Sequence, residues 1–148
     1  MSERDTICAL ASGQPPAAIC IIRLSGDRIW KLAGALLDCG LPEPRRATLT
    51  KFRDEDGNLI DEGLAVFMPG PHSYTGEDTL ELYLHGGPAV ITHAISTLTS
   101  EPGVRLAEPG EFTRRAFEAG KIDLTEAEGV ADIIEAETNA QKAQALRQ

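Results

Sequence analysis

Hydrophobic residues follow two rhythms along this chain. Residues 6–11 and 18–24 are short apolar runs bounded by polar or turn residues, which predicts two buried strands. Ser12-Gly13-Gln14-Pro15-Pro16 between them reads as a loop. After Ser25-Gly26-Asp27 the rhythm becomes helical, with Ile29, Trp30, Ala33, Leu36 and Leu37 expected on one core-facing side. Gly40 and Pro42 end that helix. Residues 48–53 and 59–68 predict a hairpin across the acidic turn Asp54-Glu55-Asp56-Gly57-Asn58. A turn-rich loop spans 69–76, and 79–85 is a further strand. Strand alternation sets Thr79, Glu81 and Tyr83 on one face of it and Leu80, Leu82 and Leu84 on the other. Pro88 suits a helix N1 position, and Val90, Ile91, Ala94, Ile95 and Leu98 form the apolar stripe behind it. The order β-β-α-β-β-β-α predicts an α+β fold.

The character changes near the end. Thr125-Glu126-Ala127-Glu128 reads as a capping box, and a long amphipathic helix over 125–147 is expected behind it. Its stripe is Ala127, Val130, Ala131, Ile134 and Thr138. No second helix follows to cover that stripe. It therefore packs back on the domain, pairs with another chain, or belongs to a larger protein.

Gross numbers narrow the function classes. The chain has 148 residues, 42% hydrophobic and 25% charged, as in an ordinary globular domain with a real core. A formal net charge of −9 argues against binding bare nucleic acid unaided, because phosphate contacts need clustered Lys and Arg. No apolar stretch approaches the ~20 residues that span a bilayer, and no signal-peptide pattern opens the chain, so a cytoplasmic protein is expected. Cys8, Cys20 and Cys39 show no Cys-x-x-Cys spacing, so no zinc site or disulfide framework is indicated. Cys8 and Cys20 are expected as reduced core residues. The acidic turn lacks the glycine position and the distal glutamate of an EF-hand.

Candidate chemistry concentrates in the second half. His72-Ser73-Tyr74-Thr75-Gly76-Glu77-Asp78 is followed by Glu81-Leu82-Tyr83-Leu84-His85-Gly86-Gly87-Pro88. Then come Pro109-Gly110-Glu111-Phe112-Thr113-Arg114-Arg115-Ala116-Phe117 and Gly120-Lys121-Ile122-Asp123-Leu124. Glu81 either faces solvent or offers a carboxylate to paired donors such as the ring N–H and amino group of a pterin. Arg23, at the end of an apolar strand, needs water, a carboxylate or a ligand. Lys121 is either simply exposed or a partner for an anion. The 74–78 segment is a structural turn or the lip of a pocket. His85 reads first as a structural histidine and second as a base. Of Arg114 and Arg115, one is expected to pair with Glu111 or Glu118 and the other to face a ligand or a partner chain. Without a Gly-x-Ser-x-Gly elbow, the His-Gly-Gly-Pro run does not support hydrolase chemistry, and no catalytic residue or metal ligand is assigned.

These blocks, with Ile21-Ile22-Arg23-Leu24-Ser25-Gly26, closely resemble the N-terminal region of the MnmE/TrmE tRNA-modification GTPase family. The resemblance implies a β2-α-β3-α half of the folate-binding fold of aminomethyltransferases. It divides the chain into residues 1–122, a tetrahydrofolate-binding and dimerisation domain, and 123–148, the start of a helical domain cut short. It carries the folate contacts onto Arg23, Glu81 and Lys121. A tetrahydrofolate derivative (5-formyl or 5,10-methylene) is the implied cofactor, and GTP with magnesium and potassium belongs to a G domain beyond Gln148. Gly-x4-Gly-Lys-Ser/Thr occurs nowhere in the chain, so this piece is expected to have no GTPase activity. The implied partners are a second copy of the chain, the flavoprotein MnmG (GidA), and tRNA through the assembled complex. The implied reaction is carbon-5 modification of the wobble uridine, with folate as one-carbon donor. Two alternatives stand beside it: a stand-alone folate-dependent methyltransferase subunit, and a purely structural dimerisation module. The loop Gly13-Gln14-Pro15-Pro16-Ala17-Ala18 departs from the glycine-rich, basic family pattern.

Overall fold

The first two apolar runs pair with each other and found the sheet. In a computed structural model, residues 4–13, 15–123, 125, 126, 128 and 129 are described. Among them β1 (Thr6–Leu10), β2 (Ala17–Ser25), α1 (Ile29–Leu36), β3 (Thr48–Arg53), β4 (Leu59–Met68), β5 (Thr79–Gly86), α2 (Pro88–Thr99), β6 (Val104–Leu106) and α3 (Glu111–Glu118) follow in order. The strands form one sheet ordered β3-β4-β5-β2-β1-β6. Every pairing is antiparallel except β1 with β6, which is parallel. The α+β reading holds, with a mixed six-stranded sheet rather than five strands.

One face of the sheet is the core. Ile22 and Leu24 of β2, Leu80, Leu82 and Leu84 of β5, and Ala65 and Phe67 of β4 are buried with α1 and α2. Each fully buried Leu or Ile contributes about 1.5–3 kcal/mol relative to exposure, so this alternation fixes the register: a slip by one residue would expose the whole set. Cys8 and Cys20 are fully buried here, as expected, and burial pushes the Cys8 thiol up to about 11. Cys39 is exposed. The opposite face carries Ile19, Ile21 and Arg23 of β2, Glu81 and Tyr83 of β5, Leu64 and Val66 of β4, and Leu49 of β3, brought level by the cross-strand register.

Three expectations change. Trp30 is 64% exposed rather than on the core side of α1. The helix starts at Ile29, and its buried stripe is Ile29, Leu32, Ala33 and Leu36, which leaves position 30 about 100° round the helix. β6 was not anticipated: three residues are too few for a periodic signal, and the strand exists through its pairing with β1. The Glu126 N–H donates to the Asp123 carboxylate at 2.8 Å, and Thr125 is already helical, so Asp123 rather than Thr125 occupies the cap. The apolar stripe expected at Ala127, Val130, Ala131, Ile134 and Thr138 lies outside the described residues.

The hairpin 48–68 forms as read. The Asp54 carboxylate closes its turn by accepting from the N–H groups of Asp56 (3.0 Å) and Asn58 (2.9 Å). Among the described residues, no helix is long and apolar enough to cross a membrane.

Candidate functional site

The central pairing of the sheet, β2 with β5, sets Arg23 directly opposite Glu81. Directly opposed side chains on one sheet face lie within reach of each other, and here they join. The Arg23 Nε donates to Glu81 Oε2 at 2.8 Å and its Nη2 lies 2.7 Å from the same oxygen. Two residues along β5, on the same face, the Tyr83 hydroxyl donates to Glu81 Oε1 at 2.7 Å. That bond to a carboxylate, with burial adding to it, raises the Tyr83 phenol above its ordinary range. Glu81 is only 9% exposed, so its charge is held by this cation and this hydroxyl rather than by water.

The pair opens on a cavity of about 360 Å³ lined by Arg23, Met68, Tyr74, Thr79 and Glu81. Small-molecule sites run from about 300 to 1,000 Å³, so this one lies at the small end of that range. A carboxylate offers about four acceptor positions. Two Arg23 donors and Tyr83 take three in-plane contacts, so Glu81 retains some capacity toward the cavity and gains more if either neighbour rotates away. Among the described residues, no buried side-chain polar atom lacks a partner.

The lip of the cavity is the loop between β4 and β5. Asp78 accepts from the Gly70 N–H at 2.9 Å, a side-chain bond to backbone that closes the turn. Gly76 takes φ +79 within this loop, a left-handed value that favours glycine. Tyr74, on the cavity side, shares a 3.1 Å hydrogen bond between its hydroxyl and Thr113 Oγ1 of α3. Both readings of the 74–78 segment therefore hold: it is a backbone-bonded turn and it bounds a pocket.

Behind the lip lies a set of charges centred on the buried Arg115 and Glu111. Arg115 is 3% exposed; it donates to Glu77 Oε1 (2.9 Å), to the Asp5 carbonyl (2.8 Å) and to Glu111 Oε2 (3.2 Å). Arg105 donates to both Glu111 oxygens at 2.7 Å. Those bonds hold the Glu111 carboxyl at about 2, against the opposing effect of burial, and raise the Arg105 guanidinium. Arg114, exposed, lies near Glu111 and Glu118 as expected of one member of the pair. Arg115 does not face outward to a ligand or partner chain; it turns into this cluster.

Lys121 does not line the cavity. It follows α3, is exposed, and its Cε lies 3.7 Å from where a side chain on Gly76 would begin, beside the lip. The structure thus joins Arg23 and Glu81 directly and sets Lys121 along the rim. His85 stands apart: its Nδ1 lies 2.8 Å from Asp61 Oδ1, its N–H donates to Asp61 Oδ2 at 2.8 Å, and its ring is mostly exposed. Strand alternation places Thr79 and Tyr83 on the face of Glu81 without assigning them a role, and Met68 carries no sequence signal of one. The i+2 spacing of Tyr83 from Glu81 on one strand face was the available signal.

The sequence profile described as "GTP-binding protein TrmE N-terminus" matches residues 6–121. The chain belongs to the TrmE N-terminal family. That match contains the whole cavity lining and Lys121. A "tRNA modification GTPase MnmE" of Hyphomonas neptunium is 72% identical over 148 residues, covering 100% of this chain and 34% of the relative. Proteins of the same name from Rhodopseudomonas palustris and Brucella ovis are 56% and 49% identical, covering 97% and 99% of this chain and 32% and 33% of theirs. This TrmE N-terminal chain spans about a third of the length of the curated relatives it matches.

Proposed function

We propose that this chain is the N-terminal part of a tRNA-modification GTPase and that its cavity binds a tetrahydrofolate one-carbon donor, of the 5-formyl or 5,10-methylene class. The single observation that carries the folate reading is Glu81: a nearly buried carboxylate, hydrogen-bonded by Arg23, on the wall of a ring-sized cavity. Such a group suits the adjacent donors on a reduced pterin edge. Arg23 keeps the Glu81 carboxylate aimed. The anionic tail of the folate is too long for the cavity and runs over the Tyr74–Gly76 lip, where Lys121 offers an ammonium. When bound, the folate supplies the one-carbon unit; the chain's own residues hold and orient it. Kinship with one half of the aminomethyltransferase fold is supported by the order β-β-α-β-β-β-α of the first seven elements.

Three further parts belong to the same proposal. The sheet face beside the cavity leaves Ile19 59% and Leu49 65% exposed, with Leu64 on β4 between the strands of Leu49 and Glu81. A second copy of the chain covers that face, since large apolar groups in one patch are the usual mark of an interface. GTP hydrolysis, with its magnesium and potassium, lies in the two thirds of the protein outside this chain, and the helical domain begins at residue 123. The acidic charge of this part leaves tRNA to the assembled complex with the flavoprotein MnmG, where the wobble uridine is modified at carbon 5.

Calorimetry with 5-formyltetrahydrofolate tests the reading. The wild-type chain binds, and Glu81→Ala weakens binding by ~1–3 kcal/mol, the usual range for a charged hydrogen-bond partner. No heat at high protein concentration would leave a dimerisation module without a ligand; unchanged affinity in the variant would remove Glu81 as the anchor.

A further inference from the structure

We propose that Glu77 and Arg115 are positioning residues that set the Tyr74 wall of the cavity by fastening the loop before β5 to α3. Only the ligand arm of the test rests on the folate reading.

Glu77 is the centre of the loop's bonding. Its Oε1 accepts from Ser25 Oγ of β2 at 2.7 Å and from Arg115 of α3 at 2.9 Å. Its N–H donates to Thr75 Oγ1 at 3.2 Å, and Thr75 Oγ1 in turn lies 2.7 Å from Ser25 Oγ. Its carbonyl accepts from Thr79 Oγ1 at 3.2 Å and from the Ser73 hydroxyl. Thr75 and Ser25 are fully buried, so Tyr74 hangs from a segment whose next residue cannot move independently. Arg4 also faces Glu77, at 4.0 Å.

The same loop touches α3 twice and the turn behind it once. Tyr74 meets Thr113 and Glu77 meets Arg115 on the helix, and Gly76 sits against Ala119 and Lys121 just past its end. The helix and the turn that follows it therefore fix the aromatic wall of the cavity and the cation on its rim. Neither Glu77 nor Arg115 lines the cavity, so each acts through Tyr74.

Why charges serve here rather than packing follows from their geometry. A buried ion pair adds little net stability over apolar groups of the same size, because desolvation offsets the attraction. A planar guanidinium does fix the direction of the carboxylate it meets, and Arg115 is itself held by Glu111 and the Asp5 carbonyl. The network supplies orientation at the lip, which is what a binding site requires of its second layer of residues.

The test uses the full chain in wild-type form and with Glu77→Gln, Arg115→Lys, Tyr74→Ala and the double substitution Glu77→Gln/Tyr74→Ala. Hydrogen exchange is read over 73–78 and 111–119, against the central strands β2 and β5 as reference. Glu77→Gln and Arg115→Lys are expected to speed exchange about tenfold in both segments together, leaving the reference strands unchanged. In the ligand arm, Glu77→Gln and Tyr74→Ala each weaken 5-formyltetrahydrofolate binding roughly three- to tenfold, and the double substitution no more than the larger single one. Additive losses would overturn the proposal while the folate reading stands, because Glu77 would then act otherwise than through Tyr74. If the wild-type chain binds no folate, that reading fails and exchange alone decides: unchanged lip exchange, or uniform loosening of lip and reference strands, refutes the fastening.

Discussion

At the scale of single residues, Glu81 shows how a carboxylate is partnered where water is scarce. Arg23 donates twice to one of its oxygens and the Tyr83 hydroxyl donates to the other. The same bond leaves a mark on its donor, for Tyr83 loses its proton less readily beside a negative charge. Ultraviolet difference titration of Glu81→Gln is therefore expected to move the Tyr83 transition down toward the ordinary tyrosine value; no movement would mean the two side chains do not touch in solution. The thiols make a second residue-scale prediction. At pH 8 iodoacetamide should label Cys39 in the native chain and spare Cys8, whose buried thiol sits at about 11, and Cys20, also sealed in the core. Mass spectrometry of tryptic peptides reads the result.

At the scale of elements, α3 is the least predictable piece and the most instructive. Pro109-Gly110-Glu111 is a sequence signal for a short helix start, and a left-handed Gly110 precedes the first turn there. Its inward face was not legible, because Glu111 and Arg115 are charged and period-based reading assigns charge to solvent. The i,i+4 spacing of Glu111 and Arg115 permitted a pair on the helix surface, but Glu77 comes from a distant segment and Arg105 from β6 across a turn, and only the tertiary fold recruits them. Glu111 ties α3 to β6, and its folded-state value of about 2 lies below the ordinary 4.5. A carboxyl depressed in this way contributes its full stability above about pH 4.5 and loses it as pH falls toward 2. Glu111→Gln is expected to cost about 3 kcal/mol in urea unfolding at pH 7 and to flatten the wild-type decline in stability between pH 4.5 and 2. An equally steep acid limb in the variant would assign that decline to other carboxyls. The strands were easier to read. Leu80, Leu82 and Leu84 alternate without interruption, and burial rewards each of them on the same side. Trp30 was misplaced because the apolar side chains of α1 form more than one possible stripe, and burial selects the one through Ile29, Leu32, Ala33 and Leu36.

At the scale of the molecule, the sheet has one covered face and one that still offers Ile19, Leu49 and Leu64 to solvent. The covered face was legible because apolar periodicity reports burial. The role of the open face was not, because a strand facing a second chain and one facing water differ only in degree of apolarity. Leu64→Glu places a charge in the middle of that face. Analytical ultracentrifugation is expected to show the wild-type chain as a dimer and the variant at least tenfold weaker in self-association. A monomeric wild type at high concentration would leave the face to some other occupant. Family membership was legible for a different reason: motif blocks record a shared ancestry that physical pattern alone does not express.

Arg23 and Glu81 stand 58 positions apart along the polypeptide, and only the completed alignment of β2 with β5 brings them together. No nascent fragment ending before Glu81, and no loosened intermediate with those strands parted, can present the pair to a small molecule. Whatever occupies that hollow selects finished chains over unfinished ones, and raises the melting temperature in proportion to the logarithm of its own concentration.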